Sequence, residues 1–345
     1  MTDVRRRVLR WGLPAGVLAV AFAASAASGV LSASASPRLP HRTPQQLLTD
    51  VQGAAVDGLS GTVVQHSDLG LPELPAPSGA GSASLTSLIA GTHTMRVWFA
   101  GPDRARLALL GTLGESDVIV NRRDVWVWDS DRHTATHRQL PAHSADARDG
   151  APLTPQAAAR RALDAVSPTT VVSTADAASV AGRPAYELVL APRDDRSLVR
   201  EVRIAIDSAT KVPLRVTAYA RGHQAPAFDV GYTDIVFARP ADDHFRFVPP
   251  PGTTVTEARS APEDGRGAAP AVVGTGWTSV VVAKAGHVDG VSPDLDRILA
   301  RLPRVSGAWG SGRLATSTLF SAVFTDDGRV AAGAVSPDLL YTALR

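Results

Sequence analysis

The serine at position 311 has the sequence setting that comes nearest to that of a catalytic nucleophile. It lies in Trp309-Gly310-Ser311-Gly312, which lacks the glycine that a nucleophile elbow places two positions before its serine. The chain has no cysteine, no Gly-x-x-x-x-Gly-Lys phosphate loop and no His-Glu-x-x-His metal helix. We therefore predict that the protein is not an enzyme and needs no cofactor. A serine hydrolase stays open as a remote alternative, because serine, histidine and aspartate are all present.

Two histidines, His133 and His137, are four residues apart, as two metal ligands on one face of a helix would be. They lie in a polar stretch without helical periodicity, which favours solvated side chains over a metal site. The sequence DDH at 242–244 is typical of an exposed turn, and DDG at 326–328 is typical of a hairpin turn. We predict no metal centre.

Aromatic residues cluster in the first half of the chain, at Trp98, Phe99, Trp126 and Trp128. The last two are separated by one residue, so they share one face of a strand, and valines occupy the other face. A strand that is apolar on both faces must be covered on both. One cover would be the core, and the other would be either helices, which is the ordinary interpretation, or a bound apolar ligand.

The first 35 residues carry the features of a secretory signal in the usual order. Four arginines between positions 5 and 10 precede an apolar stretch, and Ala33-Ser34-Ala35 then forms a small-x-small cleavage pattern. The apolar stretch also approaches the length of a membrane span. Residues 1–35 are thus predicted to be a signal peptide or an N-terminal membrane anchor. The protein is expected in the extracytoplasmic cell envelope, either free or anchored to the cytoplasmic membrane.

The net charge argues against nucleic acid as a partner. The whole chain carries +2 at pH 7, and the four arginines and Asp3 give residues 1–35 a charge of +3, so the remainder carries −1. A nearly neutral mature chain offers no electrostatic footprint for a polyanion. Because there is no cysteine, stability must come from packing rather than from disulfides.

Residues 41–256 are expected to form one β-rich domain that contains two helices. Thr-Pro pairs at 43–44 and 154–155 begin these helices, which end at 58–61 and 167–168. A long loop with apolar side chains is predicted at 67–92, and a polar loop at 129–150. Short apolar runs between turn residues predict antiparallel strands from 62 onward and at 93–99, 104–110, 117–121, 125–129, 185–190, 199–207, 214–220 and 228–237.

The remaining residues are expected to form a small C-terminal α+β domain at 276–345, after a linker at 257–275. The linker is rich in proline, glycine, alanine and charge. In the domain, the pattern predicts a strand at 276–284, a helix at 292–302, a hairpin of 316–324 with 329–335, and a short helix that begins at 336–337.

Several short motifs follow one another between Pro44 and Val255. They are GLSGT at 58–62, RAR at 104–106, VWVWD at 125–129, VAGRPAYEL at 180–188, ID at 206–207, KVPLRV at 211–216 and FRF at 245–247. In this order they resemble the LolA-like and RseB (MucB) superfamily of lipoprotein carriers and sigma-factor regulatory proteins, and the order carries the resemblance more than any single motif does. The stretch at 304–313 is similar to the ends of actinobacterial relatives.

The resemblance implies a mainly β, α+β fold, in which an unclosed antiparallel β-barrel has helices plugging its concave face. It also implies a function. Members hold acyl chains or lipoprotein anchors in the cavity, and RseB-like members bind the extracytoplasmic part of a membrane anti-sigma factor. The expected partners are therefore an acyl lipid or lipoprotein, with a membrane protein ectodomain as the alternative.

A cavity of this kind would be lined by alternate strand residues, and the loop at 69–89 would act as a flap. The candidate ligand-binding residues are Val97, Phe99, Leu107, Leu109, Trp126, Trp128, Leu188, Leu190, Val202, Ile204 and Ile206.

Overall fold

The computed structural model describes residues 37–71, 85–140, 154–164, 166, 168–258, 270–284 and 299–345. These residues form two β-sheets and the helices Pro44–Gln52 (α1), Pro155–Asp164 (α2) and Pro337–Ala343 (α3). No helix within these ranges combines the length and the apolar character that a membrane span needs. The predicted signal or anchor at 1–35 lies outside them.

The larger sheet has twelve strands in the described part of the chain, in the order β12-β6-β5-β4-β3-β2-β1-β11-β10-β9-β8-β7. Neighbouring strands are antiparallel, except that β12 is parallel to β6. The edge strands β12 and β7 do not pair with each other, so the predicted unclosed antiparallel architecture is confirmed. The strands are Leu59–Ser67 (β1), Gly91–Phe99 (β2), Arg104–Leu110 (β3), Glu115–Asn121 (β4), Asp124–Asp129 (β5), Thr134–Gln139 (β6), Thr170–Val180 (β7), Arg183–Pro192 (β8), Val199–Asp207 (β9), Pro213–Ala220 (β10), Pro226–Val236 (β11) and Thr254–Glu257 (β12).

The strand register separates the two faces of this sheet. Side chains at directly opposed positions share a face. This relation connects Leu107 with Val97, Val230 with Val216, and Ile204 with Leu188. The helices α1 and α2 cover this face, and we call it the inner face; its apolar residues form one buried core.

Local signals explain where the two covering helices begin. Thr43 forms a capping box with Gln46, since its hydroxyl accepts a hydrogen bond from the Gln46 amide and its own amide donates to the Gln46 side chain. The Thr154 hydroxyl accepts a hydrogen bond from the Ala157 amide at 3.2 Å. Each helix then buries one side chain completely in the core, Leu47 from α1 and Ala159 from α2.

The smaller sheet has six strands among the described residues, in the order β13-β14-β18-β17-β16-β15. Helix α3 packs on it through Leu340, which is fully buried beside Val323 and Val335. Trp309 stacks on Tyr341 of the same helix with ring centroids 5.4 Å apart. The strands are Ala271–Val273 (β13), Val280–Lys284 (β14), Arg304–Gly307 (β15), Gly310–Thr316 (β16), Ser321–Thr325 (β17) and Arg329–Gly333 (β18).

Hydrogen bonds join the smaller sheet to the larger one at separate places. The amide of Leu198 donates to the carbonyl of Ala334 at 2.8 Å. Trp277 donates through its indole nitrogen to the hydroxyl of Thr170 at 2.8 Å, and the amide of Thr318 donates to the carbonyl of Leu69 at 2.9 Å. The two sheets are therefore held together by directional contacts and not only by the connecting chain.

Several element bounds differ from the sequence prediction. Helix α1 ends at Gln52 and not at 58–61, because β1 already begins at Leu59. The loop predicted at 67–92 contains the 3₁₀ helix Leu85–Ile89, and its residues 72–84 lie outside the described ranges. The polar loop predicted at 129–150 is wrong over β6, whose exposed side chains show no apolar alternation.

Other strands lack a sequence prediction because they are exposed or very short. Most side chains of the edge strand β7 are exposed, and β12 and β15 are only four residues long. Strand β13 lies within the stretch 257–275 that is predicted as a linker. Residues 292–298 of the helix predicted at 292–302 lie outside the described residues, so this part of the helix stays a prediction.

Candidate ligand cavity

A cavity of about 600 Å³ lies between the inner face of β1–β4 and the helices α1 and α2. The strands supply an apolar floor of Leu59, Val97, Phe99, Ala105, Leu107, Val118 and Val120. The end of α1, the residues after it, and α2 supply the opposite wall of Val51, Ala54, Ala55, Val56, Ala157, Ala159 and Leu163. Exposed Gln52, Arg160 and Asp164 also line it and mark its opening toward solvent.

The space exists because four of the side chains that face the strands are alanines: Ala54 and Ala55 after α1, and Ala157 and Ala159 on α2. Where the helices meet β8–β10, Leu47 belongs to the same buried core as Leu188 and Ile204, and all three are completely buried. Over β2–β4 the facing side chains include Ala54 and Ala157, which are too short to reach the floor. The resulting volume falls within the range of roughly 300–1,000 Å³ that is typical of small-molecule sites.

Nine of the eleven predicted site residues lie on or against this inner core, but only three line the cavity. Val97, Phe99 and Leu107 belong to its floor. The other six pack in the closed part of the core, where protein side chains already occupy the space. They are Leu109, Leu188, Leu190, Val202, Ile204 and Ile206.

The structure places Trp126 and Trp128 on the opposite face of the sheet, away from the cavity. In the register of β3–β5, Trp126 opposes Ile119, which opposes Arg106, whereas Leu107 opposes Val118 on the inner face. The two indole rings lie 5.2 and 5.8 Å from the ring of Phe247, which covers them. The prediction that these tryptophans line the same cavity as Leu107 is therefore wrong. They lie on the outer face, where other side chains of the protein cover them.

His137 joins two distant segments on the same outer face. Its Nδ1 lies 2.9 Å from a carboxylate oxygen of Glu257 in β12, and its Nε2 lies 3.0 Å from Asp124 in β5. Trp126 stacks on the imidazole with ring centroids 4.2 Å apart. Burial alone would lower the pKa of His137, but the hydrogen bonds to Glu257 and Asp124 outweigh it and raise that pKa.

This contact predicts a pH-dependent attachment of β12. Because the folded pKa is raised, the stabilisation is fully present below the unfolded value near 6.5 and is lost as pH rises through the folded pKa. Glu257→Gln should lower the His137 pKa in an NMR titration. It should also speed hydrogen exchange at the Thr254 and Ala258 amides, which hold β12 to β6. An unchanged His137 titration in this variant would contradict the assignment.

The cavity wall also contains a buried polar pair. The hydroxyl of Tyr232 donates to the side-chain carbonyl of Gln156 at 3.0 Å, and burial raises the pKa of that hydroxyl far above its usual value. On the outer face of the sheet, Arg106 pairs with buried Asp117 at 2.7 Å. Burial raises the pKa of Asp117, and the hydrogen bond from Arg106 only partly opposes this effect.

Sequence reasoning does not identify the helical half of the lining. Ala54, Ala157 and Arg160 come from segments whose periodicity indicates only a helix covering a core. The available signal is the run of alanines at 157–159, because a covering helix with such small side chains fills less space than one with leucines. That signal becomes interpretable only when the facing strands are known.

The arrangement of the described side chains gives no support to hydrolysis or metal binding. Ser311 donates a hydrogen bond of 2.5 Å to Asp326, and no described histidine is hydrogen bonded to a serine hydroxyl. In the same residues there is no group of three or more histidine, cysteine, aspartate or glutamate side chains that could hold a metal ion. His133 packs edge-on against Trp128, and His137 binds the two carboxylates described above.

The chain matches no family model, and no curated protein is similar to it in sequence. Among solved structures, the MucA/MucB complex of Pseudomonas aeruginosa is similar at 15% identity and a TM-score of 0.45, over 87% of this chain and 96% of that one. A LolA superfamily protein of Nitrosomonas europaea is similar at 12% identity and a TM-score of 0.24, over 60% and 99%.

A putative outer membrane lipoprotein-sorting protein domain from Vibrio parahaemolyticus is also similar, at 10% identity and a TM-score of 0.24, over 59% of this chain and 97% of that one. Both groups of proteins that the sequence motifs resemble, MucB and the LolA superfamily, are thus among the solved structures similar to this chain.

Proposed function

We propose that this chain is an exported, non-enzymatic protein of the cell envelope that holds an acyl chain of a lipid or lipoprotein in the cavity under α1 and α2. The observation that carries the proposal is the apolar cavity of about 600 Å³ on the inner face of an open sheet. Its floor is made of strand side chains, and its wall includes four alanines beside larger apolar residues, so it offers dispersion contacts along its length. The export signal predicted at 1–35 supports the envelope location.

The volume favours one chain over several. A methylene takes about as much room as a water molecule, roughly 30 Å³, so about 600 Å³ accommodates on the order of 20 chain carbons. Burying each methylene contributes about 0.8 kcal/mol, before the losses of immobilisation are subtracted. A ligand with a single acyl chain would thus bind well and still be released, without a covalent step.

Native mass spectrometry of the chain purified from a bacterial envelope tests this proposal. We expect an added mass that matches an acyl lipid or lipopeptide and disappears after organic extraction. The extracted protein should then take up a fluorescent fatty acid with a 1:1 stoichiometry. Purified chain that carries no lipid and takes up no acyl probe would contradict the proposal.

A second candidate function is the regulatory one, in which the chain binds the extracytoplasmic part of a membrane anti-sigma factor. The smaller sheet favours it by exposing apolar side chains on its edge pair β13–β14, at Val272, Val273 and Val281. The valines in question are 63%, 43% and 42% exposed. Val272→Asp should abolish capture of such an ectodomain while acyl uptake is unchanged. If capture persists, this surface is not the binding surface.

A further inference from the structure

Two opposite charges, Arg160 and Asp164, stand four residues apart on α2, and both line the cavity. Residues at this spacing lie on one helical face with about 5–6 Å between their Cβ atoms. Both side chains are exposed, so they lie where the cavity meets solvent. In the described part of the chain, neither has an ion-pair or hydrogen-bond partner.

Arg106 is the third charged residue at the cavity, but its side chain lies on the outer face of the sheet. Arg106 forms its ion pair with buried Asp117, on the opposite face of β3. Arg160 and Asp164 are thus the charges that a ligand would meet at the opening. An anion on Arg160 alone would also be repelled by Asp164, whereas a group with both charges would satisfy both side chains.

We propose that this opening binds the zwitterionic head group of a single-chain amphiphile, with its anionic group on Arg160 and its ammonium group on Asp164. The inference rests on the acyl-binding function proposed above, because the cavity would hold the chain. A phosphoethanolamine head group has the required chemistry, since it carries its phosphate and its ammonium only a few bonds apart. The arginine can hold the phosphate through two parallel hydrogen bonds.

Binding of three ligands with the same acyl chain tests the inference on the full chain. The ligands are a lysophosphatidylethanolamine, the free fatty acid and the corresponding fatty alcohol, measured by calorimetry. Exposed charge pairs contribute about 0.2–1 kcal/mol, which corresponds to affinity changes of up to about fivefold. Arg160→Gln and Asp164→Asn should each lower the affinity for the zwitterionic ligand about threefold to fivefold.

The other two ligands separate the contributions of the two charges. Arg160→Gln should lower the affinity for the fatty acid. Asp164→Asn should raise that affinity, because the repulsion between the two carboxylates is removed. Neither variant should change the affinity for the fatty alcohol, which also reports that the cavity is intact. Arg161→Gln is the matched control, because it removes the same charge from the same helix outside the cavity lining.

The outcomes distinguish failure of the inference from failure of the proposed function. If all three ligands bind and neither variant alters the zwitterion, the head-group assignment is overturned while acyl binding stands. If Asp164→Asn affects the zwitterion and the fatty acid in the same direction, the ammonium contact is overturned. If none of the three ligands binds the wild-type chain, acyl binding fails and the head-group site fails with it.

Discussion

Ala157→Phe is expected to lower the affinity for acyl chains at least tenfold. Ala157 lies on α2 in the wall of the cavity, opposite the floor formed by the strands. A benzyl group there would occupy space that the acyl chain of the ligand needs. Exclusion of only two methylenes corresponds to about 1.6 kcal/mol, or more than a factor of ten in affinity. Titration with a fluorescent fatty acid measures the effect.

Ala157→Ser is the matched control for this substitution. Serine and phenylalanine have similar helix propensities, but serine adds a single heavy atom to the wall. We expect Ala157→Ser to bind like the wild type, and thermal unfolding should show both variants folded. Equal acyl affinity of the phenylalanine variant and the wild type would place the ligand outside this cavity.

Asp207→Ala is expected to destabilise the fold by about 3 kcal/mol, the lower end of the range for breaking a buried ion pair. The carboxylate of Asp207 is fully buried and accepts hydrogen bonds from Arg183 at 2.5 and 3.1 Å. It also accepts hydrogen bonds from the amides of Ala209 and Thr210, which form the turn after β9. The lower end applies because the Arg183 side chain is 32% exposed. Calorimetry should show a Tm lower by roughly 5 °C.

The same carboxylate makes stability depend on pH. Burial alone would raise the pKa of Asp207, but hydrogen bonds from Arg183 and Thr210 outweigh it and hold the pKa below its usual value. A depressed pKa means that the stabilisation is present above the unfolded value, about 3.9, and is lost as pH falls through the folded value. The stability difference between wild type and Asp207→Asn should thus shrink below about pH 4. A constant difference down to pH 2 would contradict this account.

Much of the fold could be predicted from local patterns. Strand β9 has the predicted bounds, because its valine and isoleucine side chains alternate with charged ones over a half-buried surface. The Thr-Pro starts of α1 and α2 are confirmed, since capping depends on neighbouring residues only. Gly61, in one of the family-like motifs, is explained by close approach: a Cβ there would collide with the carbonyl oxygen of Asp234.

The cavity could not be predicted in the same way, because it depends on which face of each strand meets the helices. In β5 both faces are apolar, so alternation does not decide whether the tryptophans or the valines point inward. The register with β4 decides it, and that register depends on pairing rather than on composition. The charged opening is equally hidden, because Arg160 and Asp164 have the pattern of any solvated helix face.

The position of β1 in the sheet has a consequence for how the chain folds. This first strand lies between β2 and β11, so Ser60 pairs with Val236, and β12 returns still later to join β6. A ribosome or a translocon must therefore release most of the larger sheet's sequence before its centre can close. Such non-local pairing makes folding slow. The inner face of the larger sheet is therefore completed only after most of the sheet's sequence has been made or exported.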